Sequence, residues 1–116
     1  MVKEILIVDD EKEDLDALKK ILEKEKYIVK TSKNGAEALD ILRGNNFNLV
    51  IIDIRMPTFS GYDLLRLIRK RLNHNTKMIY CTIVPKQDVD LADIDGFIQK
   101  PFSPKTVLTE VKKVFT

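Results

Sequence analysis

The chain has 116 residues, of which 44% are hydrophobic, 33% charged and 7% aromatic, a composition that excludes disordered and membrane-spanning proteins. At this length we expect residues 1–116 to form a single domain. A net charge of +2 is too small to indicate nucleic-acid binding, and one cysteine, Cys81, excludes a disulfide framework and a thiolate metal site. The apolar run near the N-terminus is too short for a signal peptide, so we expect a cytosolic protein.

Apolar runs of strand length alternate with stretches of helical period from the N-terminus onward. A continuous apolar run predicts the first strand near Glu4–Val8. Leucine and isoleucine at helical spacing then predict a helix near Lys12–Glu25. A second strand is predicted at Tyr27–Thr31 and a second helix at Ala36–Leu42, which Gly44 ends. The first part of the chain therefore predicts two strand–helix units.

The middle of the chain repeats this unit. Leu49–Ile52 is predicted to be the third strand, again as a wholly apolar run. Gly61 precedes a predicted helix that ends near Leu72, and Asn73–Asn75 is predicted to be a loop. Met78–Cys81 is then the fourth predicted strand. A third strand–helix unit thus leads into a fourth strand.

The segment Val84–Ala92 is the exception to the alternation. It contains Pro85 and few apolar residues in helical phase, so we expect the fourth helix to be short or irregular. Phe97–Gln99 is the fifth predicted strand, and Pro104 opens a last helix. Alternating strands and helices of this kind indicate an α/β protein with a doubly wound parallel sheet.

Polar residues stand where four of the predicted strands end. Asp9 and Asp10 follow the first strand, Asp53 follows the third, Thr82 follows the fourth, and Lys100 follows the fifth. In an open parallel sheet, ligands bind in the crevice beyond the carboxyl ends of the strands. We therefore expect all five residues to face one edge of the sheet.

The three aspartates among them would crowd together if the strand order is 2-1-3-4-5, the commonest order for such a sheet. Two unit charges about 4 Å apart repel by roughly 4 kcal/mol at an effective dielectric of 20. A hard divalent cation relieves this repulsion, and oxygen-only ligands suit Mg²⁺. Because Thr82 and Lys100 offer donors to an added anion, the pattern predicts phosphoryl chemistry at a carboxylate.

Four motifs in this order resemble the response-regulator receiver domain of two-component signalling. They are the acidic pair in LIVDDE, the aspartate in IIDIRMPTFSG, the threonine that ends the fourth strand, and KPF near the C-terminus. The resemblance covers essentially the whole chain. It implies a flavodoxin-like fold of five strand–helix units and one receiver domain over residues 1–116, without an output domain.

The resemblance also assigns a role to each of the polar residues. Asp53 is implied to be the phosphoacceptor, while Asp10, Asp53 and the backbone carbonyl of Arg55 bind Mg²⁺ with support from Asp9. Thr82 and Lys100 are implied to bond phosphoryl oxygens. The resemblance further implies that Phe97 is an aromatic switch residue and that the Lys100-Pro101 peptide bond is cis.

The family's reaction implies the partners. A histidine kinase or histidine phosphotransfer protein would donate the phosphoryl group, and an unidentified protein would receive the signal. We expect no separate substrate, and hence not an enzyme in the usual sense, and no direct contact with nucleic acid or insertion into a membrane. The oligomeric state implied is a monomer or a phosphorylation-dependent dimer.

Two departures from the family pattern leave an alternative open. The stretch from Thr82 to Lys100 is a few residues shorter than is common, and Ile83 stands where a small residue is usual. A pseudo-receiver, which acts as an interaction module without phosphorylation, is therefore the second hypothesis.

Overall fold

The apolar runs of the sequence form one parallel sheet. The computed structural model describes residues 2–72 and 75–116 and has the strands β1 (Glu4–Val8), β2 (Ile28–Ser32), β3 (Leu49–Ile52), β4 (Lys77–Thr82) and β5 (Gly96–Gln99). All neighbouring pairs are parallel, and the order is β2-β1-β3-β4-β5. This order confirms the predicted doubly wound α/β sheet.

Four α-helices in the described part of the chain flank the sheet: α1 (Lys12–Lys24), α2 (Gly35–Gly44), α3 (Gly61–Leu67) and α4 (Pro104–Phe115). The last three begin at polar caps, because the side chains of Asn34, Ser60 and Ser103 each accept a hydrogen bond from a backbone N–H three residues on. None of the helices in the described ranges has both the length and the apolarity that a membrane span requires.

The core has two layers because successive side chains of each strand point to opposite faces of the sheet. On one face, Ile5, Ile7 and Ile51 pack with apolar residues of α1 and α4. On the other face, strand residues such as Leu6 and Val50 pack with apolar residues of α2 and α3. Every residue of β3 is buried, as expected for a central strand covered on both sides.

The ends of α2 and α3 differ from the sequence prediction. Gly44 is the last residue of α2, and Asn45, with an extended backbone, caps the helix instead. The helix predicted to end near Leu72 is α-helical only to Leu67, and a π-helical turn continues it over Ile68–Leu72. Of the predicted loop at Asn73–Asn75, the first two residues lie outside the described ranges.

The connection between β4 and β5 contains a 3₁₀ turn, Lys86–Asp88, and no α-helix among its residues, which confirms that the fourth helix is irregular. Tyr80 fills part of the space beneath this connection: its ring meets that of Tyr62 edge-on at 5.5 Å, and the hydroxyl of Tyr62 accepts a hydrogen bond from Asp90 N–H. At the other end of the strands, the Arg69 guanidinium donates to the backbone carbonyl of Thr76 and pairs with Asp95.

Gly61 allows α3 to begin directly against the end of β3. Its N–H donates to the carbonyl of Ile54 at 2.9 Å. A Cβ atom at this position would overlap the backbone carbonyl oxygen of Asp53 and lie 2.8 Å from the Cα of Ile54. Since these atoms of Asp53 and Ile54 belong to the backbone, rotation of a side chain cannot relieve the overlap.

We therefore predict that Gly61→Ala lowers the free energy of unfolding by about 2 kcal/mol, the usual cost of overpacking. Gly44→Ala is the matched control, because nothing lies within 4 Å of a Cβ built there, and it should raise stability by about 0.5 kcal/mol. Urea denaturation followed by circular dichroism measures both changes. Equal stability of Gly61→Ala and the wild type would contradict this account of the close approach.

Candidate functional site

The carboxyl ends of β1 and β3 bring three aspartates together. These strands pair Val8 with Ile52, and the N–H of Asp53 donates to the carbonyl of Val8 at 3.0 Å. One carboxylate oxygen from each of Asp9, Asp10 and Asp53 lies within 4.8 Å of the others. Asp9 and Asp53 are buried, whereas Asp10 is exposed. The cluster is therefore open to solvent on the Asp10 side.

Lys100, the residue after β5, reaches the same cluster. Its ammonium donates to Asp9 Oδ2 at 2.8 Å and to Asp53 Oδ2 at 3.0 Å, with only 5% of its side chain exposed. The backbone N–H of Lys100 donates to the carbonyl of Thr82 at 2.8 Å, and the following Lys100-Pro101 peptide bond is cis. Hydrogen bonds thus hold both the side-chain ammonium and the backbone N–H of Lys100.

The two buried aspartates have the same bonding pattern. In each, Oδ1 accepts a hydrogen bond from the backbone N–H two residues further on, from Glu11 at 2.9 Å for Asp9 and from Arg55 at 3.1 Å for Asp53. In each, Oδ2 accepts from Lys100. The orientation of both carboxylates is therefore set before any ligand arrives, and each oxygen retains a lone pair for a further partner.

Burial and pairing shift the pKa values in this cluster. Burial raises the pKa of Asp9 to about 6, although hydrogen bonds from Lys100 and from the N–H of Glu11 oppose the rise. Burial alone would lower the pKa of Lys100, but its hydrogen bonds to Asp14, Asp9 and Asp53 outweigh this effect and raise it. Lys100 therefore stays charged at neutral pH, and a single ammonium faces several carboxylates.

Asp14 is a fourth carboxylate at the site, and the sequence reasoning missed it. Its Oδ2 lies 2.8 Å from the Lys100 ammonium. Acidic residues are common in the first turn of a helix, where they interact favourably with the helix dipole, so the residue type alone gave no signal. Its position in the chain was the available signal, because Asp14 lies in the first turn of the helix that directly follows the acidic pair.

The remaining predicted residues belong to β4 and β5 or follow β3 and β4 in the chain. Thr82 is buried at the end of β4, and its Oγ1 accepts a hydrogen bond from the N–H of Val84 at 3.3 Å, which leaves its own proton available for donation. Phe97 on β5 is half-buried, and the ammonium of Lys86 lies 6.0 Å from its ring centroid. Arg55 is exposed, and 58% of Ile83 is exposed.

The donor set fits Mg²⁺. The carboxylate oxygens of Asp9, Asp10 and Asp53 converge within 4.8 Å, and Asp10 is exposed to solvent. Mg²⁺ prefers hard oxygen ligands and retains several waters, so a partly exposed cluster with few protein ligands suits it better than an enclosed site. The carboxylates around Lys100 outnumber its single positive charge, and the remaining negative charge favours a cation at the cluster of Asp9, Asp10 and Asp53.

These features describe a doubly wound α/β protein with an acidic cluster at the carboxyl edge of its sheet, and the donor set of this cluster is suited to a hard divalent cation. The sequence model of the response regulator receiver domain matches residues 5–112. The chain belongs to this family, as the motifs indicated.

Individual relatives agree with this assignment. The chain is 31% identical over 116 residues to the response regulator SaeR of Staphylococcus aureus (strain USA300), an alignment that covers 97% of this chain and 50% of SaeR. The chain thus spans about half the length of the curated relatives it matches. The crystal structure of TrrA from Thermotoga maritima in complex with Mg²⁺-BeF superposes with a TM-score of 0.89 at 36% identity, covering 97% of this chain and 99% of TrrA.

A second match comes from the structure of the histidine kinase ThkA in complex with TrrA. The TM-score is 0.89 and the identity 35%, with 99% of this chain and 100% of the matched chain covered. The recognition of a receiver of two-component signalling, and the fold that it implied, are both confirmed by these comparisons.

Lys100 is predicted to stabilise the fold as well as the site. Lys100→Met leaves the buried carboxylates without their counter-charge, and we expect it to lower the free energy of unfolding by about 3 kcal/mol at pH 7.5 without Mg²⁺. The loss should shrink towards pH 5, because protonation of Asp9, with its pKa near 6, removes one of the charges that Lys100 neutralises.

Lys12→Met is the matched control for this measurement. Lys12 pairs with Asp16, but the two side chains are 85% and 56% exposed, so the loss should stay below about 1 kcal/mol at either pH. Urea denaturation at pH 5 and pH 7.5 distinguishes the two variants. A pH-independent loss in Lys100→Met would contradict the electrostatic explanation.

Proposed function

We propose that the protein accepts a phosphoryl group on Asp53 from a phosphohistidine of a partner protein, with the help of Mg²⁺, and signals through protein contacts. The observation that carries the proposal is the buried ammonium of Lys100, which bonds Asp53 Oδ2 and Asp9 Oδ2 together. A fixed cation at this point faces the place where the added phosphoryl charge would develop.

In this proposal a carboxylate oxygen of Asp53 forms a bond to phosphorus while the bond from phosphorus to the histidine nitrogen breaks. The electron pair of the broken bond stays on the imidazole, and Asp53 becomes an acyl phosphate that later hydrolyses. The transition state of phosphoryl transfer is loose, so the protein contributes mainly position and charge. The bonds from Arg55 N–H and Lys100 hold the nucleophile in a defined orientation.

Asp10, Asp53 and the backbone carbonyl of Arg55 are the proposed Mg²⁺ ligands, and Asp9 supports them. When bound, the ion would neutralise charge on the carboxylates and on the transferred group. The mutual approach of Asp9, Asp10 and Asp53 supports this assignment, as does the description of TrrA as a complex with Mg²⁺-BeF.

Thr82 and Lys100 are the proposed donors to phosphoryl oxygens. The hydroxyl of Thr82 retains its proton for such a bond, and Lys100 exchanges its bond with Asp53 Oδ2 for one with the phosphoryl group. We propose Phe97 as the switch residue that responds to this change, because it is half-buried and its ring lies 6.0 Å from the ammonium of Lys86, a residue of the connection that follows Thr82.

The phosphoryl donor is proposed to be a histidine kinase or a histidine phosphotransfer protein, and the complex of TrrA with the kinase ThkA supports the first of these. The downstream target is an unidentified protein, and no direct nucleic-acid contact is expected. Four expectations stay predictions: a cytoplasmic location, a single domain over residues 1–116, the lack of a separate substrate, and a monomer or a phosphorylation-dependent dimer.

The pseudo-receiver alternative receives no support from the site. A module that works without phosphorylation has no need of Asp53, Thr82 and Lys100 together, yet all three are present at the carboxyl edge of the sheet. Ile83, which raised the alternative, is largely exposed.

Acetyl phosphate tests the central claim directly. Incubated with this donor and Mg²⁺, the wild type should gain the mass of one phosphoryl group in an intact mass spectrum, and Asp53→Ala should gain none because it lacks the nucleophile. Asp40→Ala, which removes an exposed carboxylate paired with Arg43, should behave as the wild type. An equal mass gain in Asp53→Ala, or none in the wild type, would refute phosphorylation at Asp53.

Mg²⁺ binding has a readout that does not depend on phosphorylation. At ten times its dissociation constant, Mg²⁺ should stabilise the wild type by about 1.4 kcal/mol, since it binds the folded state, and raise the melting temperature accordingly. Asp10→Asn should abolish most of this gain, whereas Asp16→Asn should preserve it. An undiminished Mg²⁺ effect in Asp10→Asn would exclude Asp10 as a ligand.

A further inference from the structure

We propose that Asp14 is a positioning residue that anchors Lys100, so that the ammonium stays in place when the charge on Asp53 changes. The inference rests on the proposed function, because it concerns the phosphorylation of Asp53. It assigns a role to a residue of α1 that neither the strand-end pattern nor the family motifs include.

The geometry around the ammonium gives the first argument. Lys100 Nζ lies 2.8 Å from Asp14 Oδ2, as close as it lies to Asp9 Oδ2 and closer than the 3.0 Å to Asp53 Oδ2. An ammonium group has three protons to donate. These three carboxylates therefore satisfy it completely, and Asp14 provides one of its two shortest contacts.

The second argument is that Asp14 is held independently of the acidic cluster. It lies in the first turn of α1, whose Leu15 and Leu18 are buried against the sheet. The N–H of Leu15 donates to the carbonyl of Glu11 at 3.0 Å. The helix therefore fixes the backbone of Asp14, while Asp9 and Asp53 are fixed by β1 and β3.

The third argument is that Asp14 stands apart from the candidate metal ligands. The three converging carboxylates are Asp9, Asp10 and Asp53. The side chain of Asp14 is 36% exposed, against 2% for Asp9 and 6% for Asp53. Asp14 therefore keeps part of its contact with water while it contacts the ammonium of Lys100.

Phosphorylation makes this anchor necessary. When Asp53 becomes an acyl phosphate, its carboxylate charge is lost and new charge appears on the phosphoryl oxygens. Lys100 then has to give up its bond with Asp53 and donate to a phosphoryl oxygen. Because a lysine ammonium sits on a flexible four-carbon stem, two fixed partners, Asp9 and Asp14, hold it in position through this exchange better than one.

The kinetic experiment compares two substitutions of the same residue. Asp14→Ala removes the anchor, so the maximal rate of phosphorylation by acetyl phosphate at saturating Mg²⁺ should fall about tenfold, with the half-saturating donor concentration nearly unchanged. Asp14→Asn keeps an acceptor oxygen and should recover most of the rate. Glu13→Ala is the control, because it removes an exposed acid from the same helical turn, and it should match the wild type.

The second measurement needs no phosphorylation. A restrained, buried ammonium exchanges its protons slowly, so Lys100 should give a ¹H–¹⁵N signal from Nζ at low temperature. This signal should persist in Asp53→Asn, where Asp9 and Asp14 remain, and disappear in the double variant Asp14→Ala, Asp53→Asn.

The possible outcomes separate this inference from the proposed function. If the wild type is phosphorylated and Asp14→Ala reacts within about twofold of its rate, the anchor is refuted and the proposed function stands. Persistence of the Nζ signal in the double variant also refutes the anchor. If Asp14→Asn and Asp14→Ala lose the same share of the maximal phosphorylation rate, the negative charge of Asp14 matters and the positioning role is refuted. If the wild type is not phosphorylated, the proposed function fails, and the Nζ signal still decides whether Asp14 holds Lys100.

Discussion

The buried ion pairs of Lys100 connect distant parts of the chain at a single point. Asp9 follows β1, Asp53 follows β3, Asp14 belongs to α1, and Lys100 follows β5. The carboxylates of Asp9 and Asp53 repel each other when they are removed from water, and the ammonium of Lys100 offsets that repulsion because the strand order places both of them at the edge where β5 ends. The fold and the site therefore depend on each other, since the sheet defines the site and the cation stabilises the end of the sheet.

Much of the fold could be predicted because its central strands are continuous apolar runs. Glu4–Val8 and Leu49–Ile52 have the predicted bounds, since each contains a continuous buried apolar run with polar residues on either side. The bounds of the edge strand β2 were predicted less well. It begins and ends one residue later than predicted, and its first residue, Ile28, is 50% exposed. The π-helical turn at Ile68–Leu72 had no signal in hydrophobic periodicity, because its residues follow the α-helical pattern of α3.

The polar residues of the site also divide into those whose position could be predicted from the sequence and those whose position could not. Those that follow strands, such as Asp9, Asp53 and Lys100, could be placed at one edge from topology alone, while their functional roles stay predictions. Asp14 could not be placed, because its contact with Lys100 depends on how α1 is rotated against the sheet, and hydrophobic periodicity fixes that rotation only to within a broad apolar face. The path of the connection between β4 and β5 was likewise unpredictable, since it depends on tertiary hydrogen bonds.

Gln99 gives that connection a mechanical property. Its side-chain amide donates to the carbonyls of Thr82 and Val84 at 3.0 and 3.2 Å, and Thr82 also accepts the backbone N–H of Lys100. The carbonyl of Thr82 thus joins the end of β4 to Gln99 and Lys100 through two hydrogen bonds. These hydrogen bonds oppose a change in the spacing between the main chains of Thr82 and Lys100. Because sliding of the loop would break three hydrogen bonds at once, a change transmitted along this connection would require less disruption as side-chain rotation than as movement of the main chain.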